Sequence, residues 1–197
     1  PPNAAESPDN GNIPPTADDG VRAIDHDRNW PQWRGPLGTG VAPHGDPPVE
    51  WGEKKNIRWK VALPGKGHST PAVWGDRVFI TTAIPHGDTL EPGYSGAPGA
   101  HNEVPITRKQ KFTVIAINRR DGEIIWQRTV REELPHAGGH VTASLASASP
   151  VTDGELLFAY FGSAGLYCLN AEDGELLWEK DFGRMHTHHG HGEGSSP

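Results

Sequence analysis

The stretch Ala116-Ile117-Asn118-Arg119-Arg120-Asp121-Gly122-Glu123-Ile124-Ile125-Trp126 decides the fold, because a second copy of its pattern follows later in the chain. That copy is Cys168-Leu169-Asn170-Ala171-Glu172-Asp173-Gly174-Glu175-Leu176-Leu177-Trp178, in which Asn, Asp-Gly, Glu and Trp recur 52 residues further on. An Asp-Gly pair between two apolar runs is typical of a tight hairpin, because glycine accepts the positive φ that the turn needs. Each copy therefore predicts two β-strands joined by a short turn.

A second pattern marks where each repeat begins. Ser69-Thr70-Pro71, Ser149-Pro150 and Ser196-Pro197 each open an expected strand, and the last two lie 47 residues apart. Proline suits the first residue of a strand because no ladder partner requires its missing backbone donor there. The two patterns together predict four strands in each repeat. The strands are expected near 70–74, 77–83, 111–118 and 123–130 in the first repeat, and near 148–152, 155–161, 165–170 and 175–181 in the second.

Four strands joined by successive hairpins form an antiparallel meander, and a repeat of about 50 residues is typical of a four-stranded propeller blade. A β-sandwich also has turns at short intervals. A sandwich does not explain why an 11-residue pattern recurs with all its landmarks in phase. We therefore predict an all-β protein: an incomplete β-propeller with about two four-stranded antiparallel blades and one orphan strand.

The remaining segments are assigned around these blades. The first 28 residues contain almost no large apolar side chain, so they cannot bury enough surface to offset the entropy of ordering. The predicted organisation is a disordered tail or linker at 1–28, an extended N-terminal strap at 29–56, an orphan outer strand closing the last blade at 57–63, a blade at 64–130 with a long insertion at 84–110, a blade at 131–181, and a loop with the start of the next blade at 182–197.

The repeated stretch resembles the tryptophan-docking motif of quinoprotein-type propellers, the family built from repeats like those of pyrroloquinoline quinone (PQQ) enzymes. The matching positions are Ala116, Gly122 and Trp126 in the first copy and Gly174 and Trp178 in the second, where Cys168 replaces the alanine. The resemblance implies an eight-bladed ring in which Trp126 and Trp178 are structural docking residues, stacked between blades. Part of that ring is absent from this sequence.

Two groups within this family are similar to the chain. One is the propeller lipoprotein of the outer-membrane assembly machinery, which keeps the ring without the cofactor. The other comprises secreted, planctomycete-type propellers, which the opening Trp30-Pro31-Gln32-Trp33-Arg34-Gly35-Pro36 resembles. Both resemblances imply a periplasmic or secreted bacterial protein. The start at Pro1-Pro2-Asn3, without methionine, agrees with a leader that has been removed.

Composition excludes two classes of partner. The net charge is −7 and the sequence holds no basic patch, so nucleic acid is not an expected ligand. No stretch approaches the roughly 20 apolar residues of a membrane-spanning helix.

The single cysteine, Cys168, lies in an apolar run and is expected to be a small buried side chain.

Histidine is concentrated in the long loops. If the strands are as predicted, the turns on one face are tight, and the long connections, 64–69, 84–110, 131–147 and 182–195, all emerge on the other face. Nine of the eleven histidines lie in those connections: His68, His86, His101, His136, His140, His186, His188, His189 and His191. We expect this face to surround the mouth of the central channel. His68, His136 and His140 are the candidates for contact with a ligand there.

The densest group of histidines is a candidate metal site. Imidazole binds Zn, Cu, Ni and Fe, and closely spaced histidines can converge on one ion. The predicted ligands are His186, His188, His189 and His191, although no nearby pattern of cysteine or carboxylate indicates a particular metal. The alternative is a polar, glycine-rich loop whose histidines make ordinary hydrogen bonds.

Two functions follow from these patterns. The favoured one is a non-catalytic propeller scaffold, in the bacterial envelope or secreted, that binds other proteins or a small ligand at the histidine-rich face. The alternative is an oxidoreductase that uses PQQ with Ca²⁺, or a transition metal, at the same face. The resemblance implies that such enzymes carry calcium ligands, a catalytic Asp, a stacking Trp and often adjacent cysteines. That set is not recognisable in this sequence, so no catalytic residue is assigned.

Overall fold

The computed structural model describes residues 26–197. Most of the predicted N-terminal tail, residues 1–25, lies outside the described residues. The described strands, in chain order, are β1 (Ala72–Trp74), β2 (Arg77–His86), β3 (Glu103–Val104), β4 (Lys109–Asn118), β5 (Ile124–Glu133), β6 (Gly139–His140), β7 (Val151–Thr152), β8 (Leu156–Tyr160), β9 (Leu166–Asn170) and β10 (Leu176–Lys180).

Eight of these strands form two four-stranded antiparallel sheets. The first sheet has the order β1-β2-β4-β5 and the second the order β10-β9-β8-β7. In each sheet every strand pairs antiparallel with the next one in the meander. The predicted fold class, an all-β propeller fragment with four-stranded blades, is confirmed.

Strands of the first blade extend further than the sequence pattern indicates. Pairing between β2 and β4 continues to His86 opposite Lys109, whereas the prediction ended β2 at residue 83 and began β4 at 111. The extra residues are mostly polar and lie at the end of the hairpin next to the insertion, so the sequence shows no apolar run that would mark them as strand. The connecting segment of the insertion is therefore residues 87–108.

The first blade is buried on both sides, and β4 shows this most clearly. Alternate residues of a strand point to opposite faces of the sheet. Phe112, Val114 and Ala116 join a core shared with the second blade. Ile115 and Ile117 face the other way, into a smaller core. That smaller core is covered by Trp59, Val61 and Leu63 from the segment predicted as the orphan strand, which forms no ladder within the described part of the chain.

Tryptophans cross from each repeat to a glycine of the next. Trp59 lies over Gly122, where an added Cβ would be 2.8 Å from the indole ring. Trp126 lies in the same way over Gly174 of the second blade, where the distance would be 2.7 Å. Each glycine has a positive φ, so it supplies both the turn and the space for the ring. Trp178 occupies the equivalent place at the end of the second repeat and is 45% exposed.

The strap joins the first strands of both blades. Trp30 exchanges two backbone hydrogen bonds with Val73 of β1, at 3.0 and 2.7 Å. The next residue, Pro31, is buried, and its carbonyl accepts a hydrogen bond of 3.0 Å from the backbone N–H of Thr152 in β7. No helix among residues 26–197 has the length and apolar character needed to cross a membrane.

Candidate functional site

A cavity of about 880 Å³ lies among the long loops at one end of the two blades. Its wall comes from the insertion, from the loop that precedes β7, from the turn after β8 and from the loop after β10. The apolar part of the wall includes Ala83, Pro85, Val104, Ile106, Phe112 and Phe161. The charged and imidazole side chains are Lys66, Arg108, Glu133, His136, His140, Arg184, His186 and Glu193.

The insertion is fixed to the second repeat by a two-stranded sheet. Its strand β3 pairs antiparallel with β6, so that Glu103 lies opposite His140 and Val104 opposite Gly139. Gly138 makes this close approach sterically allowed, because an added Cβ would lie 2.1 Å from the carbonyl oxygen of Val104. The pairing holds the tip of the insertion, residues 95–98, along the wall of the cavity. It also places His101 beside the loop that holds His140.

Further contacts hold the tip of the insertion in place. The Glu103 carboxylate accepts hydrogen bonds from the backbone N–H and the hydroxyl of Ser95. The imidazole of His189, from the loop after β10, hydrogen-bonds through Nδ1 to the carbonyl of Pro98 at 3.0 Å. The insertion therefore contacts both the loop before β7 and the loop after β10, and it forms one side of the cavity.

The histidines gather into two groups that differ from the predicted one. The imidazoles of His101, His140 and His191 form a triangle with ring centroids 5.4–5.5 Å apart. His189 lies at the edge of this triangle, 6.1 Å from His191. His186 instead faces His136, with a centroid separation of 6.5 Å.

The four predicted metal ligands are thus divided between two places. His191 belongs to the triangle of His101, His140 and His191, which we call the histidine triad, and His189 lies at its edge. His186 lines the cavity wall, and His188 packs against His189 at a centroid distance of 3.9 Å. In the described part of the chain, no three His, Cys, Asp or Glu side chains are already arranged to hold a metal ion.

Hydrogen bonds set the tautomer of several imidazoles. His101 Nδ1 lies 3.1 Å from the carbonyl oxygen of Gly99, and a carbonyl can only accept, so Nδ1 carries the proton. The same reasoning puts a proton on Nδ1 of His189 and on Nε2 of His136, whose acceptors are the carbonyls of Pro98 and Met185. In His101 and His189 the lone pair is therefore on Nε2.

The electrostatic setting favours the neutral form of His191. The pKa of His191 is lowered by desolvation and by the neighbouring imidazoles of His101 and His140, to which His189 and His188 add. Desolvation and nearby positive charge both disfavour the protonated form. Neutral imidazole is the form that binds metals.

The third ligand-face candidate, His68, lies elsewhere. Its side chain is exposed and is not part of the cavity wall. Its backbone N–H donates a 3.0 Å hydrogen bond to the carbonyl of Ala146, which ties the first blade to the loop before the second. His136 and His140, in contrast, both line the cavity.

Comparison with known proteins agrees with the repeat. Residues 110–189 match the family model described as outer membrane protein assembly factor BamB. The match covers β4 from its second residue, β5 and all of the second blade, and it supports the PQQ-like repeat family for this part of the chain. No curated protein matches the sequence.

The BamB-type repeat raises the question of whether the cavity suits PQQ with Ca²⁺. Calcium takes about six to eight oxygen ligands. The cavity wall offers two carboxylates: Glu133 accepts a 2.7 Å hydrogen bond from Arg131, and Glu193 is bound by the backbone N–H and hydroxyl of Ser163. No tryptophan within residues 26–197 lines the cavity to stack on a quinone. These residues do not fit a quinone–calcium centre, and no chemical step is assigned to one.

Sequence reasoning missed most of the cavity wall. Lys66, Arg108 and Arg184 are far apart in sequence and carry no motif. The segment of Lys66 is held by its bridge to Ala83, and the insertion that carries Arg108 is held by the pairing of β3 with β6, which involves only two residues on each strand.

Proposed function

We propose that this chain belongs to a non-catalytic propeller scaffold of the bacterial envelope or of a secreted protein, and that its long-loop face binds a small ligand or a segment of a partner protein. The supporting observation is the 880 Å³ cavity, which lies within the range of about 300–1,000 Å³ typical of ligand pockets. The BamB-type repeat supports the scaffold and the envelope location.

The wall of the cavity selects for a particular chemistry. Its apolar side chains provide a surface for an apolar ligand body, and three cations, Lys66, Arg108 and Arg184, lie around it. The two carboxylates of the wall are already bound by Arg131 and Ser163. The excess of cations favours an anionic group on the ligand. The expected ligand is therefore an apolar body with a negative charge, either a small molecule or an acidic peptide segment.

Anilinonaphthalene sulfonate is a suitable probe because it combines an apolar ring system with one negative charge. We expect isothermal titration of the full chain with this probe to show saturable binding at one site. Short acidic peptides should compete for the site if the natural ligand is a protein segment, and small aromatic carboxylates should compete if it is a small molecule.

Two pairs of variants locate the binding. Ala97→Trp fills part of the cavity, whereas Val49→Trp adds the same side chain at a fully exposed position outside the wall. Arg184→Gln removes a cation of the wall, whereas Lys54→Gln removes an exposed cation elsewhere. The first member of each pair should weaken binding and the second should not. Absence of saturable binding, or equal effects within both pairs, would refute the proposal.

A further inference from the structure

We propose that the histidine triad, His101, His140 and His191, binds a late transition-metal ion such as Zn²⁺ through three imidazoles drawn from three separate loops. This inference goes beyond the proposed function, because the metal would bind beside the cavity whether or not an apolar anion binds within it. It differs from the sequence-based hypothesis, which placed the ligands at His186, His188, His189 and His191.

The spacing of the rings suits a shared metal ion. With Zn–N distances of 2.0–2.1 Å and tetrahedral angles, the centres of coordinating imidazoles would lie about 5.3 Å apart. The three centroid separations in the triad are 5.5 Å for His101–His140, 5.4 Å for His101–His191 and 5.4 Å for His140–His191. The ring centres therefore lie at the separation that one shared ion requires, whereas the ring nitrogens still have to turn toward it.

Hydrogen bonds set which ring nitrogen of His101 and of His140 carries the lone pair that a metal ion needs. Metal-bound histidines usually donate their other N–H to a carbonyl or a similar acceptor, which fixes the tautomer. His101 does this already, because its Nδ1–H donates to the carbonyl of Gly99 and leaves Nε2 with a lone pair. Nδ1 of His140 accepts a 3.3 Å hydrogen bond from the backbone N–H of Thr142 and lies 2.8 Å from the Thr142 hydroxyl, so in His140 the lone pair is on Nδ1 and the ring must turn away from Thr142 to bind an ion through it.

The backbone brings the three loops together without help from a metal. The pairing of β3 with β6 places the segment of His101 against that of His140, and the backbone N–H of Val141 adds a 2.9 Å bond to the carbonyl of Asn102. The backbone N–H of His140 reaches the carbonyl of His191 at 3.4 Å. Convergence of residues 101, 140 and 191 therefore follows from main-chain contacts.

Strained backbone also concentrates here. Four non-glycine residues of the described chain have a positive φ, and two of them, Asn102 and His189, flank members of the triad. Such conformations are uncommon for residues other than glycine and tend to cluster at functional sites. They are held here by the same contacts that position the triad.

Binding requires the rings to turn. As the side chains stand, the triad does not present its nitrogens to a common point. His101 and His191 are exposed, and exposed side chains change rotamer rapidly, so this adjustment is open to them. The all-imidazole donor set suits Zn²⁺, Cu²⁺ or Ni²⁺ and does not suit Ca²⁺, which prefers oxygen. Three protein ligands leave a fourth position for water.

Titration of the full chain with Zn²⁺ and Co²⁺ tests the site. Calorimetry should show one Zn²⁺ per chain, and bound Co²⁺ should develop visible absorption typical of low coordination number. His101→Ala, His140→Ala and His191→Ala should each weaken binding more than about tenfold, since even loss of an outer-shell partner costs about 10–100-fold. Titration with Ca²⁺ should give no heat at this site.

His186→Ala and His188→Ala are the matched controls, because they remove exposed histidines of the same loop that lie outside the triad. Both should bind Zn²⁺ like the unaltered chain. Loss of affinity in these controls without loss in His101→Ala would return the site to the 186–191 segment and overturn the proposal. Absence of Zn²⁺ binding would overturn it as well. Binding of the anilinonaphthalene probe is measured without metal, so failure of either proposal can be told from failure of the other.

Discussion

Replacing Gly174 with alanine tests whether the contact between Trp126 and the following turn holds the two blades together. The indole of Trp126 lies over Gly174, and the Arg128 guanidinium donates a 2.9 Å hydrogen bond to the carbonyl of that glycine. An alanine Cβ would lie 2.7 Å from Cε3 of the ring and 2.8 Å from Cδ2. Carbon atoms cannot approach so closely, so the ring or the turn must move.

The cost has two parts. Gly174 has a φ of +74°, and the left-handed region costs a residue other than glycine about 1–2 kcal/mol. Forcing an extra carbon into a packed contact costs a further ~1–3 kcal/mol. The expected loss of unfolding free energy is therefore about 2–5 kcal/mol.

Gly183→Ala separates the two parts. Gly183 has a nearly identical φ of +76°, and a Cβ added there would meet nothing within 4 Å. This control should lose only the conformational part, about 1–2 kcal/mol. Urea denaturation of the full chain, followed by tryptophan fluorescence, measures both variants.

The difference between the variants decides the matter. We expect Gly174→Ala to be less stable than Gly183→Ala by about 1–3 kcal/mol. Gly122→Ala, where Trp59 lies 2.8 Å from the added Cβ, should repeat the result. Equal stability of Gly174→Ala and Gly183→Ala would show that the tryptophan contact does not hold the blades.

Two other predictions concern the insertion and the cysteine. Gly138→Ala places a Cβ 2.1 Å from the carbonyl oxygen of Val104 and should break the pairing of β3 with β6, so that limited proteolysis cleaves within 87–108 much faster than in Gly87→Ala, where a Cβ meets nothing within 4 Å. Unchanged cleavage would mean that the insertion is held by other contacts. Cys168 is fully buried and burial raises the pKa of its thiol, so it should react with a thiol reagent at pH 8 only after denaturation; rapid reaction in native buffer would contradict its place in the core.

The blades were predictable because their signals are local and repeated. The turns at Asp121-Gly122 and Asp173-Gly174 need glycine for its positive φ, and apolar runs form the buried strands that precede them. These requirements involve neighbours in sequence, so a pattern can record them. The fold class and the positions of the main strands followed from that pattern.

The histidine site was not predictable to the same degree, because its arrangement depends on the path of irregular loops. Proximity in sequence suggested that His186 and His191 act together. The structure contains a tight turn between them, with positive φ at His189 and Gly190, and this turn directs the two side chains to different neighbours. Only the three-dimensional path shows which histidines meet.

The triad combines a repeated part with a unique one. His140 and His191 lie 51 residues apart, close to the 52-residue period of the turn motif, so successive repeats bring them side by side. His101 has no counterpart in the second blade, because it comes from the insertion that joins β2 to β4 only in the first. The propeller repeat alone would therefore leave two imidazoles, too few to hold a metal firmly. The insertion supplies the third ligand and also one wall of the cavity, so the feature that departs from the repeat is the one that would give this scaffold its specific function.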